Sequence, residues 1–188
     1  MKKNDTLKKV ILVFVSILAV FSLGFPLMIG DKKQGEVELN EKVDLSFDVS
    51  EDSKVILLYF GYVGCKTICE PSLREISKVY DTLLEADKKI VKFYFINIAK
   101  NGTISKQFAQ FFNKDFIGLD LEKKEISKLM SDFRAYSSDS LSGDGEISHT
   151  GYLYLIKQTK TKEFELKRIY YTRPFDPVSI SQNIKELQ

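Results

Sequence analysis

VILLYFGYVGCKTICEPSL, residues 55–73, decides the fold in two halves. The first half, VILLYFGYV, is β-branched and aromatic without polar alternation, which predicts a central strand buried on both faces. After Pro71, which suits a first helical turn, Leu73, Ile76, Val79 or Tyr80, Leu83 and Leu84 recur at three- and four-residue steps, the spacing of an amphipathic helix. Between the halves stand Cys65 and Cys69, the two cysteines of the chain. In open α/β sheets, sites gather at such carboxyl ends of strands.

Downstream, IVKFYFINI at residues 90–98 predicts a second buried strand after a turn at Asp87, Lys88 and Lys89. Strand, helix and strand then form one parallel, right-handed unit. A helix is expected over residues 104–113 with Phe108, Phe111 and Phe112 as its apolar side, and a short strand over 116–119. Helical spacing returns over residues 122–136 through Ile126, Leu129, Met130 and Phe133, followed by the polar loop SSDSLSGDGE at 137–146. GYLYLIK at 151–157 and FELKRIYY at 164–171 predict an antiparallel hairpin, and a last helix covers 177–187. This order of elements is that of an α/β, thioredoxin-like sandwich: a βαβ core with a C-terminal β-hairpin and helix.

Upstream, residues 10–29, VILVFVSILAVFSLGFPLMI, carry no charge. About 20 helical residues at 1.5 Å rise match a hydrocarbon core about 30 Å thick, so this segment reads as one N-terminal transmembrane helix. Lys2, Lys3, Lys8 and Lys9 precede it, which keeps residues 1–9 in the cytoplasm and exports the chain beyond the helix. A cleaved signal peptide is the competing assignment, with Ser22-Leu23-Gly24 as a weak cleavage point, and it exports the domain equally. No cysteine stands after the run to accept a lipid, which excludes lipoprotein processing. Residues 30–42 are polar and lack periodicity, as expected of a linker, and the domain is expected over 43–188.

The 188 residues, 44% hydrophobic and 29% charged, suffice for one well-buried domain plus this appendage. A formal net charge of +2 supplies no field for holding a nucleic-acid backbone.

If the helix begins near Lys66 or Thr67, the four-residue separation puts both sulfurs on one face, able to bond each other or share a metal. The positive end of the helix favours thiolates, the reactive and ligating form. A bridge closing so short a loop would stabilise the fold weakly, which argues for redox or metal chemistry over a structural staple. The sole histidine, His149, stands between the polar loop and the strand GYLYLI. Two thiolates and one imidazole suit Cu(I), and also accept Cu(II) or Zn(II), but a lone histidine is by default a core-edge residue, and spacing does not settle which it is.

Taken together, YFGYVGCKTICEPSL and SHTGYLYLI resemble the Sco/SenC family of thioredoxin-like copper chaperones over residues 43–188, and FIGLDLEKKEISKLMSDFRAYSS resembles the family's intervening segment. The resemblance implies that Cys65, Cys69 and His149 bind one copper ion. It implies delivery of that copper to the dinuclear copper site of cytochrome c oxidase subunit II, or to another exported copper protein, and reduction of the recipient's cysteines. Anchorage in the inner (cytoplasmic) membrane, with the domain facing the periplasm or cell exterior, agrees with the family. Family members usually carry prolines within and just after the cysteine pair, where this chain has Lys66, Thr67, Ile68 and Glu70 with Pro71 displaced by one. An Asp-Pro loop after the second strand is replaced by residues 98–102, and the acidic residue often preceding the histidine is Ser148.

Two other classes fit the same frame. A thiol-disulfide oxidoreductase of exported proteins would attack with Cys65, resolve with Cys69 and need no histidine. A peroxidase would use Cys65 with Thr67 or Arg74 beside the sulfenate.

Overall fold

In the structure, a computed structural model, residues 11–16, 35–99, 104–139 and 146–188 are described. The chain divides after Gln34 into two units. In the first unit the described residues are 11–16, which are helical. Most of the expected 10–29 anchor lies outside the described residues, and among these no helix is long and apolar enough to cross a membrane.

The second unit is built on a six-stranded sheet. In chain order its elements are β1 (Glu36–Val43), β2 (Val55–Gly61), α1 (Cys69–Asp81), α2 (Glu85–Ile90), β3 (Val91–Asn97), α3 (Ser105–Phe112), β4 (Ile117–Asp120), α4 (Lys123–Asp132), β5 (Ser137–Asp139), β6 (Ile147–His149), β7 (Leu153–Gln158), β8 (Phe164–Tyr170) and α5 (Pro177–Glu186). The sheet order is β1-β8-β7-β2-β3-β4, with β5 and β6 forming a separate two-stranded ribbon. Strands β2, β3 and β4 run parallel, while β7 joins β2 antiparallel and continues through the hairpin to β8 and then β1. This is the thioredoxin-like α/β arrangement expected from the sequence.

Strand β2 shows why its sequence lacks alternation. Val55, Leu57 and Tyr59 enter a core with Leu73, Ile76 and Val79 of α1 and Ile180 and Ile184 of α5. Ile56, Leu58 and Phe60 enter a second core with Leu129 and Met130 of α4 and Phe133. Successive side chains of a strand point to opposite faces, so a strand covered on both sides must be apolar throughout.

Four expectations are corrected. The lead-in expected as a linker pairs instead as the edge strand β1, against β8, with a register shift between Glu38 and Glu41. Edge strands carry charges on their open side, which hides the alternation of EVELNEKV. The turn expected at Asp87, Lys88 and Lys89 is the short helix α2, closed by a Lys88 to Glu85 ion pair of 2.8 Å. Phe111 is 73% exposed, whereas Phe108 and Phe112 pack on the core, because Ala109 and Ser105 supply the buried side of α3. The ends of the polar loop pair as β5 and β6, while residues 140–145 within it lie outside the described residues.

Candidate metal centre

The centre forms where β2 ends and the chain turns into α1. Gly61 closes the strand in a place that admits no side chain: a Cβ there would lie 2.7 Å from Cys69 Sγ and 2.8 Å from Phe95 Cε2. Gly64, at φ +93°, supplies the left-handed turn beyond the strand, a conformation that disfavours residues with a Cβ. Cys65 N–H donates to the Tyr62 carbonyl at 3.2 Å and closes this turn.

Helix α1 starts at Cys69, later than the expected Lys66 or Thr67, so the two cysteines do not share a helix face. They meet because Cys65 sits at the helix mouth. Its carbonyl accepts from Glu70 N–H at 3.1 Å, and its sulfur accepts from Cys69 N–H at 3.3 Å. The thiol thus takes the place of a capping oxygen, satisfying one of the open N–H groups of the first turn. Pro71, the third helical residue, has no N–H to leave open there.

His149 arrives from the other end of the chain. Ribbon β5–β6 pairs Ser137 with His149, and Thr150 N–H donates to the Tyr136 carbonyl at 3.0 Å, fixing the backbone before β7. His149 Nδ1 lies 3.0 Å from the Thr150 carbonyl oxygen, which only accepts, so Nδ1 carries a proton and Nε2 is left for the centre. The Tyr62 ring packs against the imidazole at 5.7 Å and 81°. Nε2 stands 3.3 Å from Cys69 Sγ and 3.8 Å from Cys65 Sγ.

The three ligand atoms lie within 4.8 Å of one another, and all three residues are buried. Cys65 and Cys69 are both free thiols. Their environments drive them apart. The hydrogen bond from Cys69, helped by the neighbouring His149 ring and by the backbone N–H groups of Cys69 and Ile68, pulls Cys65 down to about 3 against the effect of burial. The same bond to Cys65, together with burial, pushes Cys69 up. The two cysteines are therefore unequal, with Cys65 the one favoured as a thiolate. Such a set can take a soft cation with loss of one proton, or attack a disulfide through Cys65.

Thr67 Oγ1 stands 3.9 Å from Cys65 Sγ, but the Arg74 guanidinium lies over the Phe112 and Phe111 rings, at 5.3 and 6.0 Å. Of the two residues the peroxidase class would use, Thr67 faces the sulfur and the Arg74 guanidinium is engaged with these rings. Gly61, Tyr59 and Tyr62, which wall the centre, had no marker beyond strand pattern in the sequence.

Residues 42–185 match the family model described as SCO1/SenC. The SCO2-like protein of Rickettsia felis is 23% identical over 180 residues, covering 83% of this chain and 87% of its own. The solution structure of the apo Sco1 protein from Thermus thermophilus superposes with a TM-score of 0.62 at 18% identity, covering 81% of this chain and 95% of that one. ScoI of Bradyrhizobium japonicum, solved with copper bound, superposes with a TM-score of 0.58 at 26% identity, covering 72% and 85%.

Proposed function

Because the chain belongs to the SCO1/SenC family, we propose that it is a copper metallochaperone that carries one copper ion on Cys65, Cys69 and His149. The observation that carries this is the convergence of two sulfurs and one imidazole nitrogen within 4.8 Å. Two thiolates and an imidazole form a soft, three-coordinate set suited to Cu(I). Cys65 offers a ready thiolate, Cys69 gives up its proton as the metal enters, and the Thr150 carbonyl holds His149 with Nε2 forward.

The copper is delivered to the dinuclear site of cytochrome c oxidase subunit II or to another exported copper protein. Residues 10–29 hold the protein in the inner membrane as a single pass, with the domain on the periplasmic or outer side. The apolar, lysine-preceded run supports this placement. Copper titration of the protein tests the uptake step, with one equivalent expected. Incubating the loaded protein with the soluble domain of subunit II tests delivery, with copper moving to the recipient. Retention of all copper on the donor contradicts delivery.

The unequal thiols favour a second role, reduction of the recipient's disulfide before loading. Cys65 thiolate attacks one partner sulfur, whose neighbour leaves as thiolate. Cys69, losing its proton to solvent, then attacks Cys65 Sγ and releases the second partner thiolate. Two electrons pass to the partner and a Cys65–Cys69 disulfide remains.

A further inference from the structure

The ring of Tyr59 is fully buried, and its hydroxyl reaches no partner in hydrogen-bond geometry. An unpartnered hydroxyl inside a protein is costly and calls for a reason. Its surroundings supply one. A Cβ placed on Gly61 would lie 2.7 Å from Cys69 Sγ and 3.2 Å from Tyr59 Cε1, so the sulfur and the ring press on the same face of that glycine. Next to Cε1 on the ring, the Tyr59 hydroxyl would lie 3.4 Å from a Cβ placed on Gly151, which would itself stand 3.6 Å from Arg173 Nε. The missing side chains at Gly61 and Gly151 thus leave room for the ring beside Cys69 Sγ and for its hydroxyl on the side of Arg173 Nε. Arg173 is exposed and makes no ion pair among the described residues. Ser72 Oγ, the other hydroxyl acting on the phenol, is also unpartnered.

We propose that Tyr59 is a positioning residue of the metal centre, its hydroxyl donating a hydrogen bond to Cys69 Sγ once that sulfur holds copper as a thiolate, with Arg173 orienting the phenol from the surface side. This role rests on copper occupying the centre, as proposed above. A donor on a ligating sulfur withdraws electron density from the metal–sulfur bond, and hydrogen bonding around a cysteine sulfur is a known lever on copper potentials. Outer partners of this kind typically change metal affinity by about 10- to 100-fold. Without the metal, Cys69 Sγ faces His149 Nε2 at 3.3 Å, and the hydroxyl reaches no partner.

The test compares the full chain with Tyr59→Phe, which keeps the ring and removes only the oxygen. Both are loaded with Cu(II) for absorption spectra and titrated with Cu(I) against a competing chelator. The expected result is a sulfur-to-copper charge-transfer band at longer wavelength in Tyr59→Phe, with Cu(I) affinity lowered about tenfold and a Tm no lower than that of the unaltered protein. Arg173→Ala should shift the band in the same direction by less. An unmoved band and unchanged affinity, with the unaltered protein binding copper normally, would overturn the role of Tyr59 and leave the copper assignment standing. No copper uptake by the unaltered protein would overturn both. A lowered Tm accompanying the band shift would assign the hydroxyl to the fold and overturn its role at the metal.

Discussion

Cys69 Sγ and His149 Nε2 stand 3.3 Å apart across 80 residues of sequence, joined at the carboxyl end of β2 by a helix start on one side and a two-stranded ribbon on the other. Neither element alone makes a site. The ribbon holds the imidazole and the turn at Gly64 holds the thiols, so the centre depends on both being in place.

Removing the imidazole should therefore separate metal binding from thiol chemistry. His149→Ala is expected to lose more Cu(I) affinity than the roughly 10- to 100-fold typical of an outer-shell change, since a ligand is lost. Reduction of a small disulfide by the Cys65–Cys69 pair should survive. Chelator competition and a disulfide-reduction assay on the same sample check both, and unchanged copper affinity in His149→Ala would exclude the three-ligand centre.

The unequal thiols give a pH dependence. Cys65, lowered to about 3 by its hydrogen bonds, stays a thiolate in the folded protein while a free cysteine protonates below about 8.5. Between those limits the unfolded chain binds more protons at Cys65, so this group's contribution to stability is full above about 8.5 and is lost progressively as pH falls from there towards 3. Thiolate absorbance near 240 nm should persist at pH 5 in the apo protein and vanish in Cys65→Ser. Equal loss of absorbance from both cysteines near pH 8.5 would contradict the asymmetry.

Gly61→Ala should damage both fold and centre. The new Cβ would meet Cys69 Sγ at 2.7 Å and Phe95 Cε2 at 2.8 Å, and neither can retreat within the core. Overpacking of this kind costs about 1–3 kcal/mol. Urea unfolding should show that loss, together with weaker copper binding.

Phe111 and Phe60 make a matched pair for testing the packing. Phe111→Ser, at a 73% exposed site, should change stability by no more than about 0.5 kcal/mol. Phe60→Ala, in the core against Phe133 and Tyr154, should cost about 3–5 kcal/mol. Denaturation of the two variants side by side would show whether α3 turns the face described.

Strong periodicity made most of the core legible: the apolar runs of β2 and β3, the three-and-four spacing of α1 and the hairpin β7–β8 all fold as their patterns suggest. The parts that were not legible have physical reasons. Strand β1 is an edge whose charged residues mask its alternation, and Glu36 is spent on Ser179, Asn183 and Arg168. In α3 the buried side consists of Ser105 and Ala109, small residues that three phenylalanines outweigh in any hydrophobic pattern. At the centre, the cysteines and histidine stood out by being rare, whereas the late start of α1 comes from Cys65 capping the helix with its own sulfur, which spacing alone does not reveal. Tyr59 was hidden among the apolar residues of a buried strand.

The most direct measurement is copper content and thiol count on the full chain purified from copper-supplemented cells. One copper per chain, held by two reduced cysteines and absent from both Cys65→Ser and His149→Ala, is the result expected of the Cys65–Cys69–His149 centre. A copper-free protein carrying a competent thiol pair, or copper retained in full after Cys65→Ser, would contradict it.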